Sequence, residues 1–146
     1  MVPTSPLRIL RKLRRRQVRV SHPDAVGDAH LNLPRGIDDP VSAATVARDL
    51  LRNRREDITL VLYLDERHRF IGYAVVAVGW VQAARLSALP ILQGSAACRA
   101  SACIIVRYRC RASLVATDGE QRSFRAIAGA CGRQGLRVLD HVVVTG

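Results

Sequence analysis

The sequence predicts one α/β (α+β) domain built on a mixed β-sheet flanked by helices. Three observations carry this. Short runs rich in Val, Ile and Leu at 58–64, 70–78, 103–106 and 136–144 have the length and composition of buried strands. Between them lie stretches whose apolar residues recur every three or four positions, the helical period. The resulting order, α-β-β-α-β-α-β in 146 residues, is that of a single domain.

The first helix is expected over 43–53, with Ser42 as N-cap and Ala43, Val46, Ala47, Leu50 and Leu51 along one stripe. Ile58–Leu64 is apolar throughout and reads as a strand covered on both faces. Asp65-Glu66-Arg67-His68-Arg69 is a polar turn, and Phe70–Val78 returns as the second arm of a hairpin that Gly79-Trp80 ends. Ser87 or Pro90 opens a small-residue helix running to about Ala100. The central strand follows, then a helix over 119–134 with Phe124, Ile127, Ala128 and Cys131 inward and Gly135 as its C′ residue. The run 136–144 closes the sheet. Residues 1–41 read as a basic leader and a loop-rich linker, since 21–41 holds three of the six prolines. The domain is therefore expected over 42–146.

Composition narrows the function classes. Hydrophobic residues make up 49% of the chain but aromatics only 4%, so the core rests on aliphatic side chains. Net charge is +11, and Arg8, Arg11, Lys12, Arg14, Arg15, Arg16 and Arg19 supply seven of those charges. Without residues 1–20 the excess falls to 11 − 7 = +4. The leader reads as a charged, solubilising tail, or as a short basic helix for an acidic protein surface or nucleic acid. No apolar run approaches the ~18 residues of a membrane span. Cys98, Cys103, Cys110 and Cys131 form no CxxC pair and match no zinc-finger spacing. The expectation is a cytoplasmic protein with reduced thiols. Gly94-Ser95-Ala96 lacks the pattern of a nucleophile elbow, no Gly-rich phosphate loop exists, and Trp80 and Tyr108 are too scattered for a base-stacking platform.

The stretch Cys103-Ile104-Ile105-Val106-Arg107-Tyr108-Arg109-Cys110-Arg111 is where chemistry is expected. Strand alternation puts Arg107, Arg109 and Arg111 on one face and Tyr108 and Cys110 on the other. The arginines read either as the solvated end of a strand or as a surface for an acidic protein or nucleic acid.

Taken in order, these residues resemble the RadC-like JAB/MPN domain family. The likeness runs through Arg55-Glu56 before a strand ending Tyr63-Leu64-Asp65, a second strand closed by Gly79, and an alanine-rich helix before Ile104-Ile105-Val106. It is closest in Gly135-Leu136-Arg137-Val138-Leu139-Asp140-His141-Val142-Val143-Val144. It implies a JAB/MPN-like fold of the cytidine-deaminase-like topology class and a JAMM-type metal-dependent hydrolase. In that family a His-x-His pair ends the central strand, and an aspartate in the first turn of the next helix completes a zinc site. An upstream glutamate is the base. The family also carries a DNA-repair label.

The chain departs from that pattern. Glu56 matches the base, but the His-x-His positions fall on Tyr108 and Cys110, and the helix Ser and Asp on Asp118 and Gln121. Sliding the register by one residue puts arginines at both histidine positions. The resemblance then implies a catalytically degenerate domain, without metal, acting as a binding or scaffold module. The alternative is a hydrolase that holds zinc through Cys110, Asp118 and His141. An exposed edge strand would let two copies pair.

Overall fold

The structure, a computed structural model, describes residues 36–37, 39–52, 54–79, 86–109 and 118–145, with Asp118 described in its backbone alone. The elements follow the predicted order: α1 (Pro40–Leu50), β1 (Ile58–Leu64), β2 (Phe70–Val78), α2 (Ala88–Cys98), β3 (Ala102–Arg109), α3 (Asp118–Arg133) and β4 (Arg137–Thr145). The four strands form one sheet in the order β2-β1-β3-β4. β1 pairs antiparallel with β2 and with β3. β3 and β4 run parallel, joined by the α3 crossover. This is the small α+β domain with a mixed sheet that the sequence predicts.

α1 starts earlier than expected. Its N-cap is Asp39, whose Oδ1 accepts the Ser42 N–H at 2.7 Å and the Ser42 hydroxyl at 2.8 Å. Pro40 takes the first helical turn, where its missing N–H costs nothing. The Ser42 hydrogen bonds hold the Asp39 carboxyl below its ordinary value. Upstream, Gly36 bridges to Arg69 and Ile37 is fully buried, so the packed domain reaches back before residue 42.

Every residue of β1 and of β3 is buried, because both strands lie between two helical layers. The strand period sorts their side chains. Leu60, Leu62 and Leu64 of β1 and Ile104, Val106 and Tyr108 of β3 meet α1 residues Ala43, Val46 and Ala47 in one core. Val61 and Tyr63 of β1 and Cys103 and Ile105 of β3 join Ile91 of α2 and Phe124, Ile127 and Cys131 of α3 in the other. α3 ends on Gly135 at φ 84°, the left-handed position predicted for it, with the Leu136 N–H returning to the Cys131 carbonyl at 3.0 Å.

Tyr63 locks β1 to α2. Its hydroxyl donates to the Ile91 carbonyl at 2.8 Å, and burial pushes its titration above the ordinary tyrosine range. The ring reaches so close to α2 that a Cβ on Gly94 would lie 2.1 Å from the hydroxyl oxygen. Gly94→Ala is therefore expected to destabilise the domain by about 1–3 kcal/mol through overpacking. Gly94→Ala in a Tyr63→Phe background is expected to cost less than it does alone. Urea unfolding of the two pairs of proteins measures both, and additive effects would contradict the contact.

Candidate functional site

The alternation that sorts the core also places the arginines. Positions 103, 105, 107 and 109 of β3 face the layer of α2 and α3, and the last two are Arg107 and Arg109. They are not solvated: their relative exposures are 4% and 6%. Glu120, in the first turn of α3, is buried with them at 6%. Its carboxylate joins both arginines. Arg107 Nη1 donates to Oε1, and Arg109 Nη2 donates to Oε1 at 2.8 Å and to Oε2 at 3.0 Å. Burial alone would raise the Glu120 titration, but the guanidiniums of Arg109 and Arg107 outweigh it and hold the carboxyl below its ordinary value. The result is an Arg–Glu–Arg triad that fastens the end of β3 to the start of α3.

His141 lies beside the triad on β4, paired in register with Ile105. Its ring stacks on Phe124 with centroids 3.5 Å apart and planes 14° from parallel. Its Nε2 is buried without a hydrogen-bond partner. Burial first, then Arg107 and Arg109, push its pKa down to about 4, against the pull of Glu120 and Asp140. The imidazole is thus neutral at pH 7. Asp140 Oδ1 accepts the backbone N–H of His141 at 2.7 Å. A groove of about 380 Å³ opens between α3 and β4 along Gln121, Phe124, Asp140 and His141. A second cavity, about 270 Å³, lies between the end of β2 and α2, against Thr59, Ile105 and Phe124.

The structure separates the residues that the sequence grouped. Tyr108 is in the opposite core, against α1. Gln121 is exposed on α3 beside Glu120. Glu56 precedes β1 on the surface, 55% exposed and 3.6 Å from Arg54. Cys110, Arg111, the Asp118 side chain and the basic leader lie outside the described residues. The strand positions that meet the first turn of α3 are therefore Arg107 and Arg109, one residue from the Tyr108/Cys110 register, and the first-turn residue is Glu120. Burial removes Arg107 and Arg109 from any surface for nucleic acid or an acidic protein. Sequence reasoning missed Glu120, although an acid at the start of α3 opposite an Arg-x-Arg run was the available signal.

This set does not fit a zinc ion. A guanidinium has no lone pair to offer, and both Glu120 oxygens already accept from arginine. Among the described residues no three His, Cys, Asp or Glu side chains are grouped to hold a metal. No described helix is long and apolar enough to cross a membrane.

A mixed β2-β1-β3-β4 sheet, with a strand end facing the first turn of the next helix, is the frame of a JAB-type domain. The family model for the RadC-like JAB domain matches residues 37–146, and the chain belongs to that family. It is 26% identical over 117 residues to a UPF0758 protein of Pseudomonas fluorescens, covering 80% of this chain and 50% of that one. It is 30% identical over 95 residues to a UPF0758 protein of Photobacterium profundum, covering 65% and 42%. A UPF0758 protein of Cellvibrio japonicus is 26% identical over 119 residues, covering 79% and 53%. The chain thus spans about half the length of these curated relatives.

Two outcomes follow for stability. Glu120→Gln removes the carboxylate that the two buried guanidiniums share and is expected to cost about 3–5 kcal/mol in urea unfolding. Replacing all three residues with apolar ones of similar volume is expected to cost less than that single change. Equal stability of Glu120→Gln and the parent would refute the triad's role.

The second outcome concerns pH. The folded chain holds His141 neutral down to about pH 4, whereas the unfolded chain protonates it near 6.5. The unfolded state therefore binds the extra proton in between, and stability falls as pH falls through that window, by at most ~1.4 kcal/mol per unit. Glu120, depressed from 4.5, adds a further loss only below that pH. Thermal melts of His141→Phe between pH 6.5 and 4.5 are expected to be flatter than those of the parent.

Proposed function

We propose that this chain is a RadC-like JAB domain that works by binding, its hydrolytic centre having given way to an internal ion-pair triad. One observation supports this above the rest. In the pattern that the sequence resembles, two strand positions and one first-turn helix position hold a dication. Here the positions that meet in that way carry Arg107, Arg109 and Glu120, joined by ion pairs. Two guanidiniums put positive charge into the place a metal would fill, and Coulomb repulsion opposes a further cation. Glu56, at the base position, has then no activated water to work on.

In this reading the domain is a scaffold or docking module with a link to nucleic-acid metabolism, and the basic leader contributes to its engagement of nucleic acid or an acidic protein surface. β2 and β4 are the edges of the sheet, and either offers a second copy a strand to pair with. Cys98, Cys103 and Cys131 are free thiols, in keeping with a reducing cytoplasm.

Metal analysis of the purified chain tests the proposal. Zinc well below one equivalent is expected, and the triple change Arg107→His, Arg109→His and Glu120→Asp is expected to raise it toward about one per chain. A full equivalent of zinc in the parent, lost on Cys110→Ala, would instead establish the hydrolase with rearranged ligands.

A further inference from the structure

We propose that the outer face of α3 binds the phosphate backbone of a duplex nucleic acid, an inference that rests on reading the domain as a binding module. α3 buries Glu120, Phe124, Ile127 and Cys131 against the sheet. Its other side carries Arg122, Arg125, Ala126, Gly129, Gly132 and Arg133, all exposed. At about 100° per residue these six fall within a sector of roughly 120° on one side of the helix. Arg122 and Arg133 stand at its two ends, roughly 17 Å apart along the axis.

Three features of this face point to a polyanion. Its arginines have no counter-charge: among the described residues, Arg122, Arg125 and Arg133 make no ion pair. Elsewhere on the surface Arg52, Arg54 and Arg69 each lie within 4.0 Å of an acid, while Arg55, Arg67 and Arg99 make no ion pair among the described residues but stand on separate segments; on α3 three such arginines share one face. From Gln121 to Arg133 the helix carries no acidic residue; Asp118 precedes this stretch, at the start of the helix. The one described acidic side chain of α3 is Glu120, and it is turned inward. Between the arginines, the helix surface is bare. A Cβ on Gly132 would meet nothing within 4 Å, and one on Gly129 only the Arg133 guanidinium at 3.7 Å. Among the described residues no neighbour calls for glycine at either position, and glycine is the poorest helix former after proline. What the two glycines provide is a low strip along which a wide rod can approach the helix backbone while flanking guanidiniums reach its phosphates.

The face holds no aromatic side chain, so it cannot stack unpaired bases, and that favours duplex over single strand. It offers no shape to read a base sequence, so binding is sequence-independent and driven by counterion release. This surface is separate from Arg107 and Arg109, which are buried and internally paired.

The test is fluorescence anisotropy of the full chain with a labelled 20-base-pair DNA duplex over a salt series. Changing Arg122, Arg125 and Arg133 to serine is expected to reduce the slope of log K against log salt by about 0.9 per arginine. Changing the same three to lysine is expected to restore most of it. A full-length variant with the seven leader cations changed to serine is expected to bind more weakly yet keep that difference. Gly129→Gln is expected to raise the melting temperature while lowering affinity, since the added side chain stabilises the helix but obstructs approach. An unchanged slope in the serine triple variant, with an unchanged melting temperature, overturns the proposal. So does absence of duplex binding at 50 mM salt, or binding of poly-glutamate in its place. Those results leave the binding-module reading standing, because that reading is decided by the zinc content.

Discussion

One carboxylate between two guanidiniums sets the character of this domain. Charged groups are rarely placed inside a protein unless they are paired and hydrogen-bonded there. Glu120 makes it tenable by accepting from both arginines at once, and its position on α3 makes that contact a structural fastening. β3 is the most enclosed strand of the crossover pair, and α3 is the connection that turns it parallel to β4. The ion pair therefore sits where the chain leaves one layer and enters another. Phe124, one turn further along α3, continues the contact by stacking on His141 of β4. Polar and aromatic contacts thus join the same three elements that Cys103, Ile105, Ile127, Cys131 and Val138 hold through apolar packing.

The rest of the fold is aliphatic and close-packed. Few aromatics are available, and two of them, Tyr63 and Tyr108, fill space between layers. Tyr63 spans the gap from β1 to α2 and ends on a main-chain carbonyl, with Gly94 making room for its ring. On the opposite side Tyr108 fills the space under α1 next to Val106 and Val144. These two tyrosines show how one strand period assigns similar side chains to different cores.

Much of this was legible in the sequence. The hairpin Ile58–Val78, the crossover helix, Gly135 and the closing strand follow from apolar period, turn residues and cap chemistry, which are local. The ordered motifs pointed to the right family. The start of α1 was misplaced because Asp39-Pro40 competes with Ser42 as a helix opening, and the stronger cap with a proline behind it prevails. The site was less legible. Strand alternation separates Arg107 and Arg109 from Tyr108, but it does not say which face meets α3. That depends on the layer in which each helix packs, a tertiary fact. An arginine at the end of a strand also reads as solvated unless its acid partner is known, and Glu120 lies 13 and 11 residues away along the chain.

The triad also constrains what neighbouring sequences are open to this chain. Removing one member changes what burial costs the other two, so substitutions here are coupled. A lineage that has reached Arg, Arg and Glu at these positions stands on a narrow ridge: most single steps lead into a deep valley, and a way out needs coordinated changes. Changes on the exposed face of such a domain are close to independent of one another, whereas changes among these three side chains have to be made together.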